Sequence, residues 1–307
     1  MQGQSVPHDL AATLEALGVG PGEPLGLAVS GGPDSLALLM LAKHIRPVRV
    51  ATVDHRLRPE ARAEAEMVAD FCARLGVPHD ILAVQVQGSV QAGAREARYS
   101  ALGDWCARHA LRWLATAHHA DDQAETLLMR LSRGSGVSGL AGVRRSRALR
   151  DGVELIRPLL DWRKAELEEV VRAAGITPAL DPSNFDPAYD RTAARSLLGA
   201  APWLDAARLA QSAANLADAE QALEWAAELA FVERWDGAGL DPRELPTELL
   251  RRLVLRILAA FGETPRGPDL MRLIEALRAG RTATLAAIKA TPGERWTFAP
   301  APPRRSR

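Results

Sequence analysis

Ser30-Gly31-Gly32-Pro33-Asp34-Ser35 stands between an apolar run at residues 25–29 and a helical stretch at residues 35–44. Gly31 and Gly32 let the backbone turn tightly and bring its N–H groups close to an anion. Pro33 suits the opening turn of a helix, where its missing donor costs little. The helix start adds a positive end at the same spot. Ser30 and Ser35 supply hydroxyl donors for phosphate oxygens. Asp34 would repel a bare phosphate, so its presence points to a bridging Mg²⁺ with Asp34 as its ligand. Ser30, Gly31, Gly32, Asp34 and Ser35 are therefore the candidate nucleotide-binding residues. The hexapeptide fits neither the Walker loop nor the GxGxxG fingerprint.

Outward from this loop, short β runs alternate with amphipathic helices. Strands are predicted at 25–29, 48–53, 80–86 and 112–117, and helices at 35–44, 60–75, 92–110 and 120–132. Such alternation predicts an α/β fold, a parallel sheet with helices on both faces. Sites in such sheets lie beyond the carboxyl ends of the strands, where the unusual residues of this chain fall. Residues 134–142 are Gly/Ser-rich. The stretch 144–164 is basic, with Arg144, Arg145, Arg147, Arg150, Arg157, Arg163 and Lys164. It is a candidate track for an RNA backbone, since phosphate contacts supply most non-specific affinity. Beyond residue 202 Ala/Leu-rich helices dominate. The expected organisation is a catalytic domain over 1–200 and a smaller helical, RNA-contacting domain over 201–307, ending in a frayed tail at 300–307.

Composition narrows the function classes. With 307 residues, 47% hydrophobic and 25% charged, the chain is ordinary globular protein. Its longest clean apolar stretch, residues 36–42, is far short of the roughly 20 residues of a membrane helix. No basic start followed by an apolar block opens the chain, so no secretory signal is expected. Cys72 and Cys106 stand apart, without CxxC or His-Cys spacing. They read as two buried thiols in a reducing cytoplasm rather than as a disulfide, zinc or iron–sulfur framework. The 38 basic and 38 acidic residues cancel. That balance argues against broad nucleic-acid coating and leaves room for a local basic patch.

Strand, SGGxDS and helix in that order resemble the pyrophosphatase loop of the N-type ATP pyrophosphatases, the PP-loop superfamily. Three further segments narrow the resemblance: Val53-Asp54-His55-Arg56-Leu57-Arg58, His118-His119-Ala120-Asp121-Asp122-Gln123-Ala124-Glu125-Thr126, and Gly134-Ser135-Gly136-Val137-Ser138-Gly139-Leu140-Ala141-Gly142. With Arg157-Pro158-Leu159-Leu160 and Asp181-Pro182-Ser183-Asn184, they make residues 25–200 similar to the tRNA(Ile)-lysidine synthetase family. The resemblance implies an ATP-dependent ligase that modifies tRNA. Its acceptor would be the wobble cytidine of an isoleucine tRNA with a CAU anticodon. ATP would adenylate the C2 oxygen of the base with loss of pyrophosphate, and the side-chain amine of free L-lysine would then displace AMP. A PP-loop tRNA thiolase sharing the adenylation step is the alternative, but such enzymes generally need a Cys pair.

The resemblance places Asp54 and His55 at the adenosine. It also marks Arg191 and Arg195 for the growing phosphate charge. Where the family usually has Arg-Asn-x-x-Arg, this chain reads Arg191-Thr192-Ala193-Ala194-Arg195, so the Asn is missing. A lysine amine titrates near 10.4 and must lose a proton before it attacks. Asp122 and Glu125 are the candidate carboxylates for that step, with Glu125 as the general base. Acids at a helix start also cap it and oppose its dipole, and Asp121 fits that reading equally well. Longer family members carry a further C-terminal domain, and no equivalent is expected here beyond the helical segment.

Overall fold

The apolar run before the phosphate loop is the centre of a sheet. In the computed structural model, which describes residues 8–56, 60–84, 90–179 and 190–301, β1 (Leu25–Ala28) pairs in parallel with β2 (Val48–Asp54) and with β4 (Trp113–Ala115). β3 (His79–Ala83) extends the sheet beyond β2, and β6 (Val153–Ile156) extends it beyond β4. The order is β3-β2-β1-β4-β6-β5, and only β5 (Ser146–Arg150) runs antiparallel, to β6. The four expected strands are therefore β1 to β4, and residues 85–86 of the third lie outside the described residues.

Two cores cover the sheet. In one, Leu25 and Leu27 of β1 join α1 (Leu10–Ala16), α2 (Pro33–Ala42), α3 (Glu60–Arg74) and α7 (Lys164–Ala173) through Leu14, Leu36, Leu39, Val68 and Leu167. Leu36 to Leu39 are all buried because α2 packs on the sheet and on α7, so an apolar face all round is what its place requires. In the other, Leu102, Trp105 and Cys106 of α4 (Val90–Arg108) meet Leu114 and Leu155. Burying a side chain of Leu size contributes about 1.5–3 kcal/mol, so these rows anchor the strand ends that carry the chemistry.

The basic stretch 144–164 holds a β-hairpin that the periodicity did not announce. β5 is an exposed edge strand, and its arginines break the apolar alternation. The legible signal was Asp151-Gly152 between two short runs, with Gly152 at φ +74°. This hairpin changes the reading of the charges. Arg145 pairs with Asp161, Arg150 with Asp104 and Arg163 with Asp205, while Arg157 is 2% exposed. The stretch is not a continuous free track.

The chain divides into two compact units, Met1–Ala217 and Asp218–Arg307. The division falls later than residue 200 because Ala210 and Ala213, early in α9 (Ala206–Arg234), are buried within the first unit. The second unit contains α10 (Thr247–Ala260) and α11 (Gly267–Arg278), with a core of Leu253, Ile257, Leu273, Ile274 and Trp296. It also holds an antiparallel sheet not expected from the sequence. That sheet has the order β7-β10-β9-β8, from Gly239–Leu240, Trp296–Pro300, Ile288–Thr291 and Ala283–Leu285. Strands of two to five residues are too short to establish an alternation. Residues 302–307 of the expected tail lie outside the described residues.

Candidate active site

The sheet order reverses between β1 and β4, since the chain runs outward from β1 to β3 and then returns to β4 on the other side. Two helices start at that switch: α2, capped by Gly32, and α5 (Ala120–Ser132), capped by His119. The positive end of each helix lies at this switch, although at α5 Ala120 N already donates to Trp162 O.

The phosphate loop is set by local bonds. Ser35 Oγ accepts from Ser30 N at 3.1 Å and donates to Gly32 O at 3.0 Å. Gly31 sits at φ +88°, where an L side chain is strained, and a Cβ there would lie 3.1 Å from Met67. Ala179 N closes the far side by donating to Gly31 O. These bonds hold the turn without using the N–H groups of Gly32 and Asp34.

A cavity of about 510 Å³ opens beside the loop. Ser30, Gly32, Asp34 and Ser35 form one wall. Thr52 and His55 at the end of β2, Thr116, His118 and Asp122 after β4, Arg98 from α4 and Arg191 from α8 (Asp190–Ala200) form the rest. The structure thus brings together residues up to 161 positions apart. Asp54 is buried and does not line the cavity; its carboxylate accepts from Arg56 N at 2.9 Å and shapes the turn after β2. His55 does line it, and burial, reinforced by Arg98, lowers its affinity for a proton. The Asp181-Pro182-Ser183-Asn184 segment lies outside the described residues.

His119 is the residue whose role the motif did not reveal. Its Nε2 lies 3.5 Å from Asp34 and 3.6 Å from Asp122, and its Nδ1 lies 3.5 Å from Asp121. Burial opposes a charge there, but the three carboxylates outweigh it and raise the imidazole to about 10. His119 is thus an imidazolium at neutral pH. It neutralises part of the acid at the phosphate loop, so Asp34 has a partner other than a metal. One oxygen of Asp34, Oδ1, nevertheless remains buried with no hydrogen-bond partner among the described residues, and that oxygen fits a cation. His118 behaves oppositely. Burial pushes it well below its ordinary value, Asp122 works against that, and Arg157, Arg98 and Arg191 reinforce it. It is neutral and lies 3.0 Å from Thr116 Oγ1.

The acids of α5 separate into three tasks. Asp121 accepts from Lys164 N at 2.9 Å and ties the start of α7 to the start of α5. Asp122 accepts from His119 N at 3.2 Å, closing a cap, and also faces the cavity. Glu125 is 2% exposed, with Arg195 Nε 2.8 Å from Oε1 and Arg191 Nε 3.0 Å from Oε2. Burial raises this carboxyl, while Arg195 pulls it back. The carboxylate expected as base is thus engaged by two guanidinium groups, while Asp122, with Arg191 farther off at 3.8 Å, lines the cavity. Of the two arginines, Arg191 reaches the cavity wall and Arg195 stands behind it.

Gln123 and the Gly/Ser-rich segment explain each other. Gln123 Nε2 donates to Val143 O at 2.9 Å and Oε1 accepts from Val143 N at 2.6 Å. Arg130 donates to Gly139 O and Gly142 O. Gly142 is at φ +68°, and a Cβ would come within 2.5 Å of Gln123 Oε1. Both motifs serve one purpose, holding the chain after α6 (Val137–Leu140) against α5.

Comparison with known proteins agrees with this geometry. A PP-loop domain family model matches residues 9–201. A tRNA(Ile)-lysidine synthase of Novosphingobium aromaticivorans is 48% identical, over 91% of this chain and 90% of the relative. One of Zymomonas mobilis is 46% identical over 92% and 89%. Among solved structures, a U34-tRNA thiolase from Methanococcus maripaludis with a [4Fe-4S] cluster shares the fold at TM-score 0.56 and 16% identity, covering 70% of this chain and 76% of that one. A phosphate loop and a capped acidic helix at the switch of a PP-loop sheet, in a chain nearly half identical to these synthases along most of its length, establish that it belongs to the tRNA(Ile)-lysidine synthase family.

Proposed function

We propose that the chain joins free L-lysine to C2 of the wobble cytidine of an isoleucine tRNA with a CAU anticodon, acting in the cytoplasm. The cytidine C2 oxygen attacks the α-phosphorus of ATP and pyrophosphate leaves. The lysine side-chain amine then attacks C2, the C2–O bond breaks with AMP as leaving group, and the ammonium proton is lost. The observation that carries this reading is the meeting of the SGGPDS loop, Asp122 and Arg191 on one cavity, in a chain of this family.

The residues divide the work by position. The free N–H groups of the loop and the start of α2 receive the departing phosphates. The Arg191 guanidinium faces the cavity and opposes charge growing on the phosphate, with Glu125 and Asp122 holding it in place. Asp122 is the acid placed to orient the lysine ammonium and accept its proton. Mg²⁺ fits at Asp34 through the unpartnered Oδ1; when bound it would neutralise phosphate charge. His55, in the β2 wall of the same cavity, is the residue for the adenosine.

The thiolase alternative loses support from the two cysteines. Cys72 is buried in the core of α2 and α3, and Cys106 in the separate core of α4. A sulfur-carrying pair would need them together. The test supplies the protein with ATP, labelled lysine and either isoleucine tRNA(CAU) or methionine tRNA, followed by nucleoside digestion. Lysidine in the isoleucine tRNA alone is expected. Equal labelling of both tRNAs, or ATP turnover without label in either, refutes the reading.

A further inference from the structure

Three guanidinium groups are gathered on one aromatic ring at the edge of the catalytic unit. The guanidinium carbons of Arg95 and Arg98 on α4 lie 5.1 Å from the centre of the Tyr99 ring, and that of Arg147 on β5 lies at 4.9 Å. Arg157, buried after β6, adds a fourth charge beside them. None of the four has an ion pair with an acid among the described residues, whereas Arg145, Arg150 and Arg163 nearby all do. The Nε atoms of Arg98 and Arg157 are buried and have no hydrogen-bond partner among the described residues. Burial raises the Tyr99 hydroxyl, but Arg98, Arg95 and Arg157 outweigh it and hold it below its ordinary value. Like charges held together without counter-charge repel, and the ring face offsets this only in part. Such a cluster is built to receive an anion.

Its place says which anion. Arg98 lines the active cavity, whereas Arg95, Tyr99 and Arg147, together with Glu96, Asp104 and Arg150, line a separate outer groove of about 620 Å³. The cluster therefore joins cavity and surface, the path of a strand whose one nucleotide enters the cavity. Guanidinium forks match phosphate oxygens and carry no base information, so contacts here set register.

We propose that Arg95, Arg98 and Arg147, gathered on Tyr99, clamp the RNA sugar–phosphate backbone beside the nucleotide held in the cavity. The proposal rests on the reading above that RNA is the acceptor. The test uses the full chain with Arg95→Gln and Arg147→Gln combined, since both side chains are exposed. Affinity for unmodified tRNA is measured between about 50 and 200 mM KCl, alongside affinity for a fluorescent ATP analogue. Expected is a loss of tRNA affinity of about 10- to 100-fold and a salt slope shallower by about 1.4, at ~0.7 per single-strand phosphate contact. ATP-analogue affinity should be unchanged. Arg145→Gln, just before β5 and already paired with Asp161, lines neither space and should leave both readings as in the wild type. If the double variant is misfolded by circular dichroism, Arg147→Lys serves instead: charge and salt slope remain while tRNA affinity falls. Unchanged tRNA affinity and slope overturn the clamp, as does loss of ATP-analogue affinity with tRNA binding intact, or a wild type that does not bind tRNA. A wild type that binds tRNA but transfers no lysine defeats the proposed reaction and leaves the clamp standing.

Discussion

Glu125→Gln separates a base from an anchor. The carboxylate is 2% exposed and meets Arg195 at 2.8 Å and Arg191 at 3.0 Å, while these arginine side chains are 40% and 45% exposed. A hydrogen bond to a charged group contributes about 1.5–3 kcal/mol when buried. Solvent at the arginine side reduces that, so the pair together contributes about 2 kcal/mol. Gln keeps the shape and one acceptor but removes the charge shared by the two guanidinium groups, leaving Arg191 with Asp122 at 3.8 Å. The first unit should lose about 4–8 °C of melting temperature, at ~2–4 °C per kcal/mol for a body of this size. The larger effect is functional. With the shorter of its two acid contacts gone, Arg191 is less well positioned at the cavity wall, a defect of up to about 10²–10³-fold. That loss should appear in pyrophosphate release and therefore before any lysine is needed. The assay is single-turnover: labelled ATP and tRNA without lysine give the adenylation rate, and lysine added later gives the transfer rate. Slowed adenylation with proportionate transfer is expected. If adenylated tRNA forms at the wild-type rate and accumulates when lysine is present, Glu125 is the base and the anchoring argument fails.

Asp34→Asn should abolish pyrophosphate release and lower the thermal transition only modestly, because buried His119 keeps Asp121 and Asp122 as counter-charges; near-normal turnover at any Mg²⁺ concentration would contradict the role given to Asp34. Replacing Cys72 and Cys106 by Ala should preserve lysine transfer at a cost of about 1 kcal/mol each. Burial pushes these thiols up to about 11 and about 12, so native-state alkylation of the wild type should be slow, and an inactive but folded double variant would revive sulfur chemistry. In the second unit, Arg252→Met removes the 2.6 Å partner of buried Glu220 and should cost about 3–5 kcal/mol, with Glu220→Leu restoring most of it; denaturant unfolding of both variants checks this.

Much of the first unit was legible along the chain because its signals are local. An apolar run ending in SGGPDS needs only its neighbours to be read as strand, anion turn and helix start, and β1 and α2 stand there. The same holds for β2, β4 and α5. The strands that escaped notice are those whose pattern depends on distant partners. β5 is exposed and arginine-rich, so its pairing with β6 leaves little apolar trace. The strands of the second sheet are short enough that register, rather than alternation, defines them.

The site shows the same division. Residue types and spacing along the chain determined which groups are present: the hydroxyls and glycines of the loop, the acids of α5, and two arginines four positions apart. Tertiary structure alone decided their charge and their task. His119 is a cation because the fold sets Asp34, Asp121 and Asp122 around a buried ring, and His118, one residue earlier, is neutral because burial, reinforced by Arg157, Arg98 and Arg191, outweighs the pull of Asp122. Glu125 is an anchor rather than an open carboxylate because α8 lies against α5 and brings Arg191 and Arg195 to it. The basic stretch lost its uniform meaning for the same reason: the sheet paired Arg145 and Arg150 with acids and turned Arg147 onto Tyr99. Burial and charge–charge interaction depend on distance in space, and distance in space is what one-dimensional spacing does not contain.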